Sequence, residues 1–209
     1  MGQKINPKAF RLGNLYTWDS RWFVGKKSYK TFVLEDLKLR KALTEKLKIS
    51  GISLIEIERS INKVDIILHV SRPGMVIGRA GSGLEEIKKF VEKLVANTAG
   101  KVKTEVKVEP IKEPNLDAYL VAVNVADQLI KRLPQRRIVS QTLEKVMGAG
   151  AKGVKVILAG RINGAEISRR ETYKTGTIPL STLREEIDFA RYAAKTRSGY
   201  VGVKVWICK

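Results

Sequence analysis

The chain has 209 residues, of which 44% are hydrophobic, so it is long and apolar enough for two packed domains of ordinary size. Lysine and arginine number 40 against 21 aspartates and glutamates, and the formal charge of +19 indicates a polyanionic partner, with nucleic acid favoured over an anionic membrane. One cysteine, Cys208, excludes an internal disulfide, and one histidine, His69, leaves no zinc-ligand cluster.

The sequence contains neither an apolar run long enough to cross a bilayer nor a secretory leader. These features predict a cytoplasmic protein without a membrane partner. We also expect no metal, no cofactor and no small-molecule substrate.

Residues 1–16 carry several cations and little hydrophobic periodicity. Lys4, Lys8 and Arg11 fall among prolines and glycines, a composition typical of a segment that stays extended until a partner orders it. We therefore predict a basic N-terminal arm that contacts a polyanion through these three cations.

Aromatic residues interleaved with lysines and arginines follow over residues 18–32. Such residues can stack on unpaired bases, but at this density they more often form a small local core. We favour the core interpretation, with Trp22 and Phe23 inside it.

Over the rest of the first half, the spacing of apolar residues is typical of helices in some segments and of strands in others. Ser82 and Glu85 form a capping-box pattern at the start of the longest helical stripe. The predicted order is helix, strand, strand, helix, helix, strand. The predicted limits are a helix over 35–49, strands over 52–60 and 64–70 joined by a turn at 61–63, a helical turn over 73–77, a helix ending near 96 and a strand over 101–109.

The loop formed by Gly78, Arg79, Ala80 and Gly81 lies between the two last helices of this domain. Glycine lets the backbone turn sharply and lets a ligand approach closely, because it has no Cβ atom. The amides of the loop, the positive end of the following helix and the arginine together suit a phosphate group. A glycine-rich turn that serves packing alone is the alternative interpretation.

Two other phosphate-binding motifs fail on the residues that follow this loop. A P-loop requires lysine and then serine or threonine where Leu84 and Glu85 stand. A dinucleotide-binding fingerprint requires glycine at the position of Glu86. Neither kind of nucleotide site is therefore expected here.

Pro110 and Pro114 bracket a short linker and predict a domain boundary near residue 110. Two apolar helical stripes follow it, and the period then changes from helix to strand. The predicted helices cover 116–133 and 135–148, and the predicted strands begin at 153 and cover 165–173, 186–194 and 201–207. We expect a compact α+β domain with its helices on one side of a mostly antiparallel four-strand sheet.

The predicted second helix of this domain presents Arg136 and Arg137, with Lys131 and Arg132 just before it and Lys145 near its end. Such cations offer phosphate contacts that position nucleic acid without reading its sequence. A solvated helix face would be the default interpretation in a neutral protein, and the charge of +19 reverses that default.

The stretch from Val76 to Gly81, with Leu84 and Ile87 after it, resembles the signature of the KH domain, which clamps about four backbone nucleotides against a GXXG loop. The predicted order of elements is similar to the type II, prokaryotic arrangement of that fold. The resemblance implies an RNA-binding site at Arg72, Gly78, Arg79, Ala80, Gly81 and Lys88.

The second half extends the resemblance to a particular family, that of the bacterial third protein of the small ribosomal subunit. The opening Gly2 to Pro7 and the pair Trp22 and Phe23 are similar to the start of that family. The remaining matching segments are Arg11 to Gly13, Gly150 to Val156, Gly160 with Arg161, Asn163 to Ile167, Pro179 with Leu180, Thr182 to Arg184, Ile187 with Asp188 and Gly202 to Ile207.

This resemblance implies a structural protein in the head of the small subunit and not an enzyme. It implies as partners small-subunit ribosomal RNA, messenger RNA at its entrance to the ribosome, and the tenth and fourteenth small-subunit proteins. The expected domains are the arm over 1–16, a KH domain over 17–110 and a C-terminal domain over 111–209. The candidate ribosomal RNA contacts are Lys4, Lys8, Arg11, Arg161, Arg169, Arg170, Lys174 and Arg191.

In the family, an arginine pair on the second helix of the C-terminal domain faces incoming message and helps to open its duplexes. The resemblance places this role on Arg136 and Arg137. Two further cations of the family pattern are replaced here by Ser140 and Gln141, which predicts weaker unwinding unless Lys145 substitutes in part. The family's Asn-Thr-Ser after Ile187 and Asp188 is also absent, and Phe189, Ala190 and Arg191 stand in its place on the predicted third strand.

Two further classes of function remain open from the residues alone. A free KH protein, such as an assembly factor, would share the first domain but not the C-terminal motifs. A nucleic-acid enzyme would need a metal site, for which Glu185, Glu186 and Asp188 form the richest acidic cluster. A solvated acidic edge is the favoured interpretation of that cluster, since no histidine, serine or cysteine constellation accompanies it.

Overall fold

Two four-stranded sheets organise the chain, one in each of two units. The computed structural model describes residues 4–60, 63–99 and 103–209. One unit consists of Trp18–Lys112, and the other combines residues 4–17 with Glu113–Lys209. The N-terminal segment, which contains helix α1 (Pro7–Phe10), thus belongs to the second unit and does not stand apart.

The first unit has the element order expected of a type II KH domain. Strands β2 and β3 are antiparallel, β4 is parallel to β3, and the two-residue β1 is parallel to β2. Its elements are β1 (Ser20–Arg21), α2 (Lys26–Lys46), β2 (Ile52–Arg59), β3 (Lys63–Val70), α3 (Pro73–Ile77), α4 (Ser82–Ala99) and β4 (Lys103–Pro110). The predicted turn residues 61 and 62, and the predicted strand residues 101 and 102, lie outside the described residues.

In the core of this unit, every second residue of β3 is buried and packs against leucine and valine side chains of the helices. Ile57 and Ile66, which are paired across β2 and β3, are fully buried. Leu43 of α2 and Val91 of α4 are buried in the same cluster. The α+β prediction for this unit is therefore confirmed, because one sheet face and two helical stripes form its core.

Helix α2 begins at Lys26, nine residues earlier than predicted, and its N-cap residue Gly25 has no capping side chain. The aromatic interpretation is correct for Trp22, whose ring lies 5.5 Å from that of Tyr29 and 5.6 Å from that of Phe32. It is wrong for Phe23, which is 97% exposed. Phe23 adjoins Trp22 in sequence, and neighbouring residues of an extended segment point in opposite directions.

The second unit packs helices against one face of a fully antiparallel sheet. Its strands lie in the order β6-β5-β8-β7. Its further elements are α5 (Ala118–Ile130), α6 (Gln135–Gly148), β5 (Gly153–Gly160), β6 (Arg169–Gly176), β7 (Ile187–Thr196) and β8 (Gly199–Cys208). Strand β6 begins four residues later than predicted, and a short 3-10 helix (Ile162–Gly164) occupies the predicted turn before it.

The prediction of an extended N-terminal arm is wrong for the described residues. Arg11 follows α1 and is fully buried. Its guanidinium donates hydrogen bonds to backbone carbonyl oxygens of the loop between β6 and β7, among them Thr182 at 2.8 Å and Glu185 at 2.8 Å. Further acceptors are the carbonyl oxygens of Pro7, Pro179 and Leu180. The segment is therefore fixed to its own unit by one arginine.

Candidate nucleic-acid interface

The glycine loop of the first unit has the geometry of a tight connection between two helices. Gly78 ends α3 with φ of 72°, and its amide donates to the Gly74 carbonyl oxygen at 3.0 Å. A 3-10 turn (Arg79–Gly81) follows and leads directly into α4. Gly81 has φ of 83°. Both glycines of the predicted loop therefore occupy the left-handed region that other residues avoid.

A third glycine, Gly83, is required by packing. A Cβ atom on Gly83 would lie 2.6 Å from the Val76 carbonyl oxygen, and one on Gly78 would lie 2.9 Å from the Gly83 nitrogen. Gly81 has open space in the direction of its missing Cβ atom. Gly78 and Gly83 thus allow close contact between the backbones of the two helices, whereas Gly81 faces open space that a ligand can occupy.

The predicted capping box at Ser82 is wrong. Ser82 has φ of −56° and ψ of −36°, which are helical values, whereas an N-cap residue has non-helical values. The 3-10 turn (Arg79–Gly81) leads directly into the first turn of α4 instead. The loop amides therefore continue into α4 without an intervening cap.

The cations around this loop are exposed. The structure places Arg72 and Arg79 at the two ends of α3 and Lys88 in the second turn of α4. None of the three forms an ion pair with the described residues. A polyanion can therefore bind here without first displacing an internal acid.

In the second unit, α6 separates an apolar face from a basic one. Ile138 and Val139 are buried against the sheet, whereas Arg136 and Arg137 are exposed. Lys145 lies two turns after Arg137 on the same helix row, a separation of roughly 12 Å along the axis. The predicted pair is thus displayed as expected, and Lys145 is more distant.

The position that differs from the family pattern has an acidic neighbour. The Ser140 hydroxyl lies 3.2 Å from a Glu144 carboxylate oxygen, one turn further along α6. Ser140 and Glu144 share their helix row with Arg136. This row therefore carries one cation and one acid, while the row of Arg137, Gln141 and Lys145 carries two cations.

Arg136 also lies near the edge strand β6. Burial and a 2.7 Å hydrogen bond to Glu171 raise the pKa of the Tyr173 hydroxyl, while Arg136 and Arg169 oppose that rise. Two predicted cations from different elements thus approach one ring. Arg169 is in addition paired with Glu171 at 2.9 Å.

The outer face of the second sheet is basic. Register places Lys155 opposite Lys174, and Arg191 opposite Lys204, on the face away from the buried Val154. Arg170 shares that face because β6 alternates with period two. None of these five cations is ion-paired with the residues the structure describes. Sequence reasoning missed Lys155 and Lys204, although strand alternation marks both.

Like charges on this face repel one another. Burial, followed by the charges of Lys4, Arg170 and Lys174, lowers the pKa of Lys155. Its ammonium also lies 5.3 Å from the centre of the Trp206 ring. A bound phosphate would relieve this repulsion, which is why the face suits a polyanion.

The predicted cations of the N-terminal segment do not behave alike. Arg11 is wrong as an RNA contact, because its guanidinium is buried and donates only to backbone carbonyl oxygens of its own unit. Lys8 is half-buried and paired with Asp188 at 2.9 Å. Lys4 is exposed and close enough to Lys155 to affect its pKa.

The acidic cluster is engaged in internal contacts. Glu185 pairs with Lys152 at 2.9 Å, and Glu186 pairs with Lys209 at 3.4 Å. The buried Asp188 pairs with Lys8 through its Oδ1 atom, and its Oδ2 atom accepts a hydrogen bond from the Ala118 amide at 2.8 Å. Within residues 4–60, 63–99 and 103–209, no group of three histidine, cysteine or acidic side chains is arranged to hold a metal ion. No helix in those ranges is long and apolar enough to cross a membrane.

A KH unit with an open glycine turn, joined to an α+β unit with a basic helix and a basic sheet face, defines a two-domain RNA-binding protein. Residues 38–116 match the family model of the KH domain, and residues 125–207 match that of the ribosomal protein S3 C-terminal domain. Small ribosomal subunit protein uS3 of Caldicellulosiruptor bescii is 50% identical to this chain. The alignment covers all 209 residues of this chain and 92% of that protein.

The uS3 proteins of Caldicellulosiruptor saccharolyticus and Finegoldia magna are 48% and 47% identical over the whole chain, which spans 92% and 84% of their lengths. The chain belongs to the uS3 family of small ribosomal subunit proteins. It is therefore an RNA-binding structural protein of the small subunit, located on ribosomes in the cytoplasm, and not an enzyme.

Proposed function

We propose that α6 lines the path by which messenger RNA enters the small subunit and that Arg136 and Arg137 hold its phosphates. The observation that carries this proposal is the exposure of both arginines on one helix, without an ion pair to the described residues. Lys131 and Arg132, at the end of α5, extend the same cationic stretch along the chain.

In this proposal, α6 aids the opening of duplexes passively. Phosphate contacts bind whichever strand has opened by thermal motion and so lower the free energy of the single-stranded state. Ser140 and Gln141 replace two cations of the family pattern, and Glu144 adds a negative charge nearby. We therefore expect less help with duplex opening here than in a relative that has all four cations.

The test compares translation of two messages of equal length, one with a stable hairpin and one without structure, on ribosomes assembled with variant chains. Arg136→Ala with Arg137→Ala should lengthen the passage through the hairpin and leave the unstructured message unchanged. Ser140→Lys with Gln141→Arg should shorten that passage. A control pair, Arg184→Ala with Lys112→Ala, removes the same charge from exposed positions outside α6. Equal delays for the control and the α6 pair would contradict the proposal.

We further propose that ribosomal RNA contacts the KH loop and the outer face of the second sheet. The KH contacts are Arg72, Arg79 and Lys88 with the backbone of Gly78, Ala80 and Gly81. On the outer sheet face the contacts are Lys155, Arg170, Lys174, Arg191 and Lys204. The other proposed contacts of the second unit are Lys4, Lys8, Arg161 and Arg169. The support is the exposure and unpaired charge of most of these side chains, and Arg11 is omitted because it is buried.

The tenth and fourteenth small-subunit proteins remain proposed neighbours on the strength of the family resemblance. Chemical cross-linking of purified small subunits, followed by mass spectrometry, tests this part. Cross-links from this chain to both proteins are expected. Their absence, together with cross-links to other small-subunit proteins, would contradict the assignment.

A further inference from the structure

A cavity of about 380 Å³ opens in the second unit where three connections meet. Its walls come from the corner between α5 and α6, the turn between β5 and β6, and the hairpin between β7 and β8. A volume of this size lies within the usual range for sites that bind small ligands. Of the proposed ribosomal RNA contacts of the second unit, Arg161 lines this cavity, whereas Lys155, Arg170, Lys174, Arg191 and Lys204 of the sheet face do not.

The floor of the cavity is apolar. Leu129, Ile162 and Val201 line it, and each is at least 92% buried. Side chains of this kind provide a contact surface for a flat apolar group but no hydrogen bond to it. The floor therefore suits the face of a nucleobase better than a phosphate.

Three arginines surround the floor. The Arg161 guanidinium donates to the carbonyl oxygens of Ala165 at 2.8 Å and Ser198 at 3.4 Å, which fix its position. Arg132 and Arg197 are exposed and form no ion pair with the described residues. No aspartate or glutamate is among the described residues that line the cavity. The rim therefore suits an anion that lies beside an apolar group.

Arg132 adopts a backbone conformation that favours glycine. Its φ is 61°, at the position after α5 where helices commonly end in a left-handed glycine. An arginine in this conformation lowers the stability of the fold relative to a glycine, because non-glycine residues rarely adopt a positive φ. The Arg132 side chain forms no ion pair with the described residues, so its guanidinium is available to a ligand in the cavity.

The cavity is continuous with the proposed RNA surface of α6. The Asn163 side-chain amide donates to the Gln135 side-chain oxygen, which ties the turn beside the cavity to the first residue of α6. Gln135 directly precedes Arg136. Pro134 and Asn163 line the cavity, which therefore adjoins the end of α6 that carries the arginine pair.

We propose that this cavity binds one unpaired nucleotide of RNA, with the base on the apolar floor and the adjacent phosphate held by Arg132, Arg161 and Arg197. Arginine guanidinium planes also stack on bases, which adds to the binding of a base that enters the cavity. This inference rests on the proposed contact between α6 and RNA.

The test uses the full chain and a short single-stranded RNA that carries one 4-thiouridine. After irradiation, mass spectrometry locates the cross-linked peptide. Cross-links are expected in the peptides that contain Ile162 or Val201. Arg132→Gly with Arg197→Ala should lower their yield by roughly fivefold or more. Glycine accepts a positive φ, so the first substitution should preserve the stability of the domain.

The control pair Arg184→Ala with Lys112→Ala should leave the yield at the cavity unchanged. Cross-links found only in other peptides, or a yield that the cavity substitutions do not change, would overturn the inference. If Arg136→Ala with Arg137→Ala weakens RNA binding and the cavity substitutions do not, only the cavity proposal fails. If neither pair weakens binding, the proposed function of α6 fails as well.

Discussion

Gly78 and Gly83 lie so close that a Cβ atom on Gly78 would be 2.9 Å from the Gly83 nitrogen. This contact brings the end of α3 against the first turn of α4. Gly78 therefore has a role in packing, whereas Gly81, whose outer side is open, can have a role in ligand binding. Substitutions at these positions therefore test different properties.

Gly78→Asp should destabilise the first unit by roughly 1 to 3 kcal/mol, because it combines a positive φ with a backbone clash. Urea unfolding followed by circular dichroism measures the change. Gly81→Asn, which keeps φ strain but meets no atom, is the matched control and should cost less. Equal losses would contradict the packing role of Gly78.

Arg79→Ala with Lys88→Ala is the appropriate test of RNA binding at this loop. Both side chains are exposed, so the unfolding free energy should change by less than about 0.5 kcal/mol. The affinity for single-stranded RNA should fall, as measured by fluorescence anisotropy. A pair of exposed lysines elsewhere in the unit, Lys38→Ala with Lys41→Ala, provides the control for charge. An effect of equal size from the control would remove the loop as a specific site.

Arg11→Ala should lower the unfolding free energy of the second unit by roughly 1 to 3 kcal/mol, because buried carbonyl oxygens lose their donor. Arg11→Lys should not restore stability, since an ammonium cannot reach acceptors spread over a planar fork. Thermal unfolding measures both variants. Lys4→Ala removes an exposed cation from the same segment and should not lower stability. Wild-type stability of Arg11→Lys would contradict the geometric argument.

Lys155→Met should raise stability and weaken RNA binding. Lys155 faces Lys174 directly across β5 and β6, and like charges in that position cost roughly 0.2 to 1 kcal/mol. Because the folded-state pKa of Lys155 is lowered, the penalty is complete below that pKa and disappears as pH rises through 10.5. The stability gain of the variant should therefore shrink as pH rises through the lowered pKa of Lys155 towards 10.5. Lys195→Met, opposite Tyr200, is the control and should show neither effect.

Arg59→Ala should destabilise the first unit by about 3 to 5 kcal/mol. The Arg59 guanidinium is buried and pairs with Glu35 at 2.7 Å and with Asp36 at 2.6 Å, so its removal leaves two buried carboxylates without a cation. Arg21→Ala removes an exposed arginine paired with Glu58 and should cost less than about 1 kcal/mol. Similar losses for both variants in urea unfolding would contradict this account of the buried group.

Local periodicity was sufficient for the order of elements and for the limits of α6, which the structure places at the predicted residues 135–148. The alternation of Val64, Ile66 and Leu68 likewise identified β3. The display of Arg136 and Arg137 followed from the same period, because Ile138 and Val139 had to face the core. Where one face of an element is buried, its pattern also identifies the exposed cations.

The predictions that failed did so for other reasons. The acceptors of Arg11 in the loop before β7 lie 168 to 174 residues further along the chain, so no local pattern indicates that this cation is buried. The start of α2 carries no capping side chain, and sequence provides no other signal at Gly25. The cavity beside Arg132 depends on three connections that only the tertiary fold brings together.

The most direct test of the account is the salt dependence of RNA binding by the purified chain. For single strands, each phosphate neutralised contributes roughly 0.7 to the slope of log affinity against log salt concentration. Arg136→Ala with Arg137→Ala should therefore reduce that slope by about 1.4. Arg184→Ala with Lys112→Ala should leave it unchanged. A slope that is the same for the wild type and the α6 variant would show that these arginines do not contact RNA and would contradict the proposed function.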